Sequence, residues 1–164
     1  MIPTFSNKIK TELVTDFLGT NLVIALINYE GLGLTDAPTI EQQVLRQEFS
    51  TQDLGVYEIG GQQLNGYRRN IVNITEADIV GNNVKRAIIT VEFTAVDGDL
   101  DPFTHVVAIR GAKVTDAEVS NGNNRGNTQG TIIFVEPIEN APITVLENNA
   151  FEYTLTLVSS IGII

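Results

Sequence analysis

The chain has 164 residues, no cysteine, and 20 acidic against 10 basic side chains, which gives a formal net charge of −10. This length suits a single domain with its own buried core, and the lack of cysteine excludes disulfide bonds and thiolate metal sites. The negative charge repels phosphate backbones and anionic lipids, so we expect neither nucleic acid nor a membrane surface as a partner. The first residues do not have the pattern of a secretion signal. We therefore expect synthesis in a cytoplasm.

The first predicted element is an amphipathic helix within residues 1–19. Apolar side chains recur at every fourth position, namely Phe5, Ile9, Leu13 and Phe17. This spacing is typical of one face of a helix. Thr4 can cap the helix and Gly19 can end it. The apolar stripe can pack either on the core of the same chain or on a neighbouring subunit.

A buried strand and a second helix are predicted next. The segment LVIALI, residues 22–27, is continuously apolar, as expected of a buried strand. A helix inserted over residues 37–49 is predicted, with Asp36 as its cap and Pro38 in its first turn. Its predicted apolar face consists of Ile40, Val44, Leu45 and Phe49.

From residue 55 onward the sequence has the period-two pattern of β-strands. Strands are predicted in YRRNIVNI, RAIITVEF and THVVAIR. Three more are predicted in residues 130–160, separated by Pro137, Pro142 and the polar residues 147–149. In RAIITVEF the expected faces are Ala87, Ile89, Val91 and Phe93 on one side, and Ile88, Thr90 and Glu92 on the other. Short strands joined by Gly- and Asn-rich turns, without helices between them, favour an antiparallel sandwich or barrel. The predicted fold class is mainly β, in one domain over residues 1–164.

A polar segment rich in Asn and Gly spans residues 111–130. Loops of this length are uncommon in compact domains unless they are functional or mobile. We expect a long flexible loop. It is either a solvated surface segment or a contact with a neighbouring subunit, through residues such as Asn121 and Asn124.

No catalytic, cofactor-binding or metal-binding group is predicted. His105 is the single histidine, and a lone imidazole without a nearby nucleophile or second ligand favours a structural role, on one strand face with Val107 and Ile109. The segment DGDLDP, residues 97–102, begins like a calcium loop but has Pro102 where that loop requires glycine. We interpret it as a polar hairpin tip. The basic segment Tyr67-Arg68-Arg69 is interpreted as an ion-pairing cluster at a strand end.

Six β motifs carry a resemblance to a known family. In chain order they are LVIALIN, GYRRNIV, ITVEFTA, FTHVVAIR, GTIIFVEPI and NNAFEYTLTL. Their order and spacing resemble a widespread group of small bacteriophage virion proteins, described as tail-fibre or tail proteins. The resemblance covers residues 22–28 and 66–158. Where that group commonly has Gly-Asp before the last aromatic strand, this chain has Asn149-Ala150.

The resemblance implies a non-enzymatic virion protein with a jelly-roll-like antiparallel β-sandwich, used as an assembly module of the tail, neck or fibre base. Its expected partners are other virion proteins and further copies of the chain. A capsid decoration or cement protein is an alternative. A host-glycan-binding sandwich is an alternative of another class, although the chain has no Trp and four Tyr to offer as aromatic platforms.

The isoleucines Ile161, Ile163 and Ile164 follow the last predicted strand. Burial of each side chain would contribute roughly 1.5–3 kcal/mol. They pack either on the core of the same chain or, by our hypothesis, on a neighbouring chain. The predicted subunit interface comprises Ile161, Ile163, Ile164, Phe5, Ile9, Asn121 and Asn124.

Overall fold

The computed structural model describes residues 22–30, 39–51, 53–59, 67–72, 79–80, 86–110 and 130–158. Within these ranges the chain forms seven strands and two short helices. The strands are β1 (Leu22–Ile27), β2 (Asn70–Val72), β3 (Ile79–Val80), β4 (Arg86–Thr94), β5 (His105–Arg110), β6 (Thr131–Pro137) and β7 (Ala150–Val158). The helices are α1 (Ile40–Leu45) and α2 (Leu54–Tyr57). The predicted mainly β fold class is confirmed.

The described strands form two antiparallel sheets. Sheet A has four strands in the order β2-β1-β5-β6, and sheet B has three in the order β3-β4-β7. The longest ladder joins β4 to β7 and runs from Arg86 opposite Val158 to Thr94 opposite Ala150. In sheet A, β6 pairs with β5 through a register shift between Ala108 and Ile109.

Sheet A is covered by apolar side chains on both faces, which explains the continuous apolar sequence of β1. Leu22, Ile24 and Leu26 belong to a hydrophobic cluster that also contains sheet B residues. The buried residues that strands of sheet B contribute are Ile89, Val91, Phe93 and Tyr153. The other face of sheet A, with Val23 and Ile27, packs against Ile40, Phe49 and Leu54. These three residues belong to the part of the chain that contains α1 and α2, which we call the helical segment. The helical segment therefore packs on one face of sheet A, and side chains of the other face share a hydrophobic cluster with residues of sheet B.

Strand β4 has the alternation predicted from its sequence. Its core-facing residues Ile89, Val91 and Phe93 are buried, whereas Ile88, Thr90 and Glu92 are exposed. Because successive side chains of a strand point to opposite faces, sheet B has one face in the core and one open outer face.

The predicted inserted helix is wrong in its bounds and in part of its apolar face. The helix covers Ile40–Leu45 and not residues 37–49, and Thr39 is its N-cap. Thr39 and Gln42 form a capping box, in which each side chain accepts a hydrogen bond from the other's backbone N–H. The helix ends before Gln47, which has a positive φ of 59°. Leu45 is 83% exposed and is not part of the apolar face.

Two predictions about the connections are also wrong. The segment at residues 97–102 is no hairpin tip, because β4 and β5 lie in different sheets. The connection over residues 95–104, which we call the crossover, runs from sheet B to sheet A. Leu100 and Phe103 of the crossover are buried. The middle of the three predicted closing strands is not a strand. In its place, residues around Ile143 pair with this crossover, through Leu100 N–H to Val145 O at 2.9 Å and Phe103 N–H to Ile143 O at 3.0 Å.

Several sequence predictions lie outside the described residues. These are the N-terminal helix over 1–19 and, apart from Gly130, the loop over 111–130. The jelly-roll-like arrangement of the two sheets stays a prediction. No helix in the described ranges is long and apolar enough to cross a membrane.

Candidate functional site

Glu58 and Arg69 form a bidentate ion pair in the interior of the protein. Arg69 Nε donates to Glu58 Oε1 at 2.6 Å, and Arg69 Nη2 donates to Glu58 Oε2 at 2.5 Å. The two side chains are 2% and 0% exposed, respectively. The flat guanidinium matches the carboxylate with two parallel hydrogen bonds, which is the strongest geometry for such a pair. The predicted ion-pairing role of the Tyr67-Arg68-Arg69 segment is confirmed for Arg69.

Tyr67 extends this ion pair to the backbone of β1. Its hydroxyl donates to Glu58 Oε1 at 2.8 Å and accepts from Leu26 N–H at 3.1 Å. Burial, followed by the negative charge of Glu58, raises the pKa of Tyr67 well above its usual value. The phenol therefore stays protonated and keeps donating. The resulting buried network joins the residue after α2, the approach to β2, and β1.

The buried network is closed to solutes because its charged side chains have almost no contact with water. Removing one partner of such a buried ion pair destabilises a protein strongly. The best-attested use of such pairs is to specify one arrangement of the chain. Its chemistry is therefore that of a structural clamp.

His105 belongs to a second polar network, between α1 and β5. Its Nδ1 lies 2.7 Å from Thr104 Oγ1, and its Nε2 lies 3.3 Å from Glu41 Oε1. Thr104 Oγ1 also accepts from Tyr29 N–H at 2.8 Å. The Tyr29 ring meets the imidazole edge to face at 6.4 Å between centroids. These contacts fix His105 between a helix and a sheet, as expected of a structural histidine.

A third polar contact connects the two sheets at their neighbouring edges. Tyr153 on β7 donates from its hydroxyl to Glu136 Oε2 on β6. Burial raises the pKa of Tyr153, and the hydrogen bond to Glu136 and its charge act in the same direction. The ring itself lies in the shared hydrophobic cluster. Tyr153 therefore connects sheet B to sheet A through its apolar ring and through its hydroxyl group.

The outer face of sheet B is an exposed surface. We define it by Ile88, Thr90, Glu92 and Thr94 of β4 and Glu152, Thr154 and Thr156 of β7, all of which are exposed. Thr90 Oγ1 and Thr154 Oγ1 lie 3.0 Å apart across the two strands. Glu92 stands directly opposite Glu152, an unfavourable arrangement for two like charges.

The described residues contain no group of three or more His, Asp or Glu side chains placed to hold a metal ion. At the Asp97–Asp101 segment, Asp99 Oδ1 instead accepts a hydrogen bond from Glu147 N–H at 2.8 Å. This contact ties the crossover to the turn before β7.

The predicted interface residues all lie outside the described part of the chain: Phe5, Ile9, Asn121, Asn124, Ile161, Ile163 and Ile164. Sequence reasoning did not identify Glu58 or Glu136 as partners of a buried arginine and tyrosine. Comparisons with protein-family models, with curated proteins and with solved structures found no match to this chain.

Proposed function

We propose that the chain is a non-enzymatic structural protein of a bacteriophage virion, acting as an assembly module of the tail, neck or fibre base. The observation that carries the proposal is the position of the six motifs on which the resemblance rests. They fall, in order, on β1, β2, β4, β5, β6 and β7. The resemblance therefore follows the strands that build both sheets.

The distinctive residues of these motifs hold the fold together. Tyr67 and Arg69 of the GYRRNIV motif build the buried network around Glu58. Thr104 of the FTHVVAIR motif accepts a hydrogen bond from Tyr29 N–H and lies beside His105. Phe151 of the NNAFEYTLTL motif packs against Phe103 at 5.1 Å between ring centroids. Motif residues with these roles suit a scaffold more than a catalyst.

We further propose that the two sheets pack as a jelly-roll-like sandwich. The support is the hydrophobic cluster to which both sheets contribute, including Leu22, Ile24 and Val106 from sheet A and Val91 and Phe93 from sheet B. A core filled from the inner faces of two sheets is the usual basis of such folds.

The outer face of sheet B fits an assembly role better than a glycan-binding one. Ile88 is 55% exposed on this face, where it stands opposite Thr156 and two positions from Thr90 along β4. Glycan recognition normally uses exposed aromatic platforms. Among the described residues the large exposed hydrophobic side chains are all aliphatic. We therefore propose other virion proteins and further copies of the chain as partners, with the virion as the location.

Cryo-electron microscopy of particles carrying a tagged copy of the chain tests this proposal. The tag can be a small folded domain inserted between Asn123 and Asn124. We expect extra density at symmetry-related positions on the tail, neck or fibre base. Extra density spread over the capsid lattice supports the decoration-protein alternative, and particles without extra density contradict a virion role.

A further inference from the structure

Strand β7 has the features of an edge that pairs with another strand. Among the described strands, β7 pairs with β4 alone, along all nine positions of its length. An edge strand presents a row of backbone N–H and C=O groups that can accept a further strand. Its sequence, AFEYTLTLV, contains no Pro, Gly or Lys, the residues with which proteins commonly interrupt or protect an edge.

The other edge strands of the described sheets are short or protected. β2 has three residues and β3 has two. β6 is longer, but it carries a register irregularity opposite Ala108 and Ile109, and it ends in Glu136 and Pro137. Bulges, charges and proline all discourage pairing. β7 is therefore the long edge strand of the described structure that has neither a register irregularity nor a proline, and the one charged residue in it is Glu152.

The sequence of β7 is compatible with antiparallel pairing to itself. A two-fold axis at Thr154 pairs all nine residues with those of a second copy, from Ala150 opposite Val158 to Thr154 opposite Thr154. Glu152 then faces Thr156 of the second copy, and the two Glu152 residues are separated by four positions, or about 13 Å along the strand. That separation exceeds the screening length of about 8 Å at physiological salt. An axis at Glu152 would instead bring the two carboxylates face to face.

Side chains on the core side of β7 favour the same arrangement. Phe151 and Leu155 pack against the shared cluster but are only half-buried. In the paired arrangement, Leu155 stands opposite Tyr153 of the second copy. Aromatic and aliphatic cross-strand pairs stabilise antiparallel ladders, so a second copy would cover apolar surface that the isolated subunit leaves in water.

We propose that β7 is a self-association edge, which pairs antiparallel with β7 of a second copy about Thr154 and joins two three-stranded sheets into one of six strands. This interface follows from the geometry of the sheet edge and does not rest on the proposed virion function. It is an isologous contact, since the same surface is used by both subunits.

Cysteine cross-linking tests the register directly, because the chain contains no cysteine of its own. At a two-fold axis, opposed Cα atoms lie about 4.5–5.5 Å apart, within the range that a disulfide spans. Thr154→Cys should give a disulfide-linked dimer under mild oxidation. Thr90→Cys is the matched control, since Thr90 is the cross-strand partner of Thr154 on the same face but lies one strand further from the edge. A mixture of Glu152→Cys and Thr156→Cys proteins should cross-link faster than either protein alone.

Sedimentation velocity over a concentration series provides the second measurement. We expect the wild type to dimerise. Thr154→Lys places two ammonium groups at the axis and should weaken the dimer at least tenfold, whereas Thr90→Lys, which removes the same threonine contact, should not. A wild type that stays monomeric at every concentration contradicts the proposal. So does equal weakening by the two lysine variants, or equal cross-linking of Thr154→Cys and Thr90→Cys.

Discussion

Arg69 and Glu58 are joined by two hydrogen bonds of 2.6 and 2.5 Å in a region almost without solvent contact. The pair lies where three parts of the chain converge: the end of α2, the approach to β2, and β1, which Tyr67 reaches through Leu26 N–H. Removal of one partner would leave the other charge in the interior without its ion-pair partner, which is costly. The ion pair therefore ties correct placement of the helical segment to that of sheet A.

Replacement of Arg69 should be strongly destabilising. Arg69→Met removes the positive charge that faces the buried Glu58 carboxylate and both of its hydrogen bonds to that carboxylate, so we expect the free energy of unfolding to fall by about 3–5 kcal/mol. Arg68→Met is the matched control, because Arg68 is exposed and donates a hydrogen bond to a backbone oxygen, Tyr67 O. Urea denaturation measures both. Similar losses in the two variants would show that the buried pair is unimportant.

The double variant Glu58→Gln/Arg69→Met distinguishes the energy of the ion pair from the cost of burying one charge without its ion-pair partner. It removes both charges together, so its loss of stability should be smaller than the sum of the two single losses. Additive losses in this cycle would mean that the two residues act independently.

Alkaline pH should destabilise the protein through Tyr67. Burial raises the pKa of Tyr67 in the folded state above its ordinary value of 10.0, so above that pH the unfolded chain releases a proton that the folded chain retains. The contribution of Tyr67 to the free energy of unfolding is fully present below about pH 10. Above about pH 10 it falls as the pH rises, by up to about 1.4 kcal/mol per pH unit for each retained proton. Urea unfolding across this range should show a shallower slope in Tyr67→Phe. Identical slopes in both proteins would contradict this role of Tyr67.

The hydrogen bond from Tyr153 to Glu136 should contribute to the attachment of sheet B to sheet A. Tyr153→Phe keeps the buried ring and removes the hydroxyl, so we expect a loss of about 1 kcal/mol. Tyr57→Phe is the control, because among the described residues the Tyr57 hydroxyl has no hydrogen-bond partner. Thermal denaturation should rank the Tyr153 variant as the less stable one, and the reverse order would refute the contact.

The crossover between the sheets should be part of the core. Phe103 is completely buried and meets Phe151 edge to face, so Phe103→Ala should cost about 3–5 kcal/mol. Leu45→Ala removes a comparable apolar side chain from an exposed position and should change stability by no more than about 0.5 kcal/mol. Equal effects in denaturant unfolding would place Phe103 outside the core.

Local sequence patterns predicted the strands that have one burial pattern along their whole length. β4 alternates because one face of sheet B is open, and β1 is continuously apolar because sheet A is covered on both faces. The predicted start of α1 was wrong because Asp36 and Thr39 are both residue types that cap helices well. Thr39 is the cap in the structure, where it forms a reciprocal pair with Gln42.

The polar contacts could not be predicted because they depend on tertiary arrangement. Tyr67 bonds to a backbone group 41 positions away in sequence, and Arg69 to a side chain 11 positions away. Similarly, nothing in the turn residues at Asp97-Gly98 indicates whether the next strand returns to the same sheet. That choice depends on Leu100 and Phe103, which are buried in the core.

Quantitative peptide mass spectrometry of density-gradient-purified particles, made by cells that carry the gene, tests the proposed virion function most directly. We expect peptides of this chain at a fixed copy number per particle, one that stays constant across the particle peak. A cytoplasmic protein of similar abundance is the control for carry-over. If the chain is abundant in the lysate but leaves the particles together with this control, the proposed function is wrong.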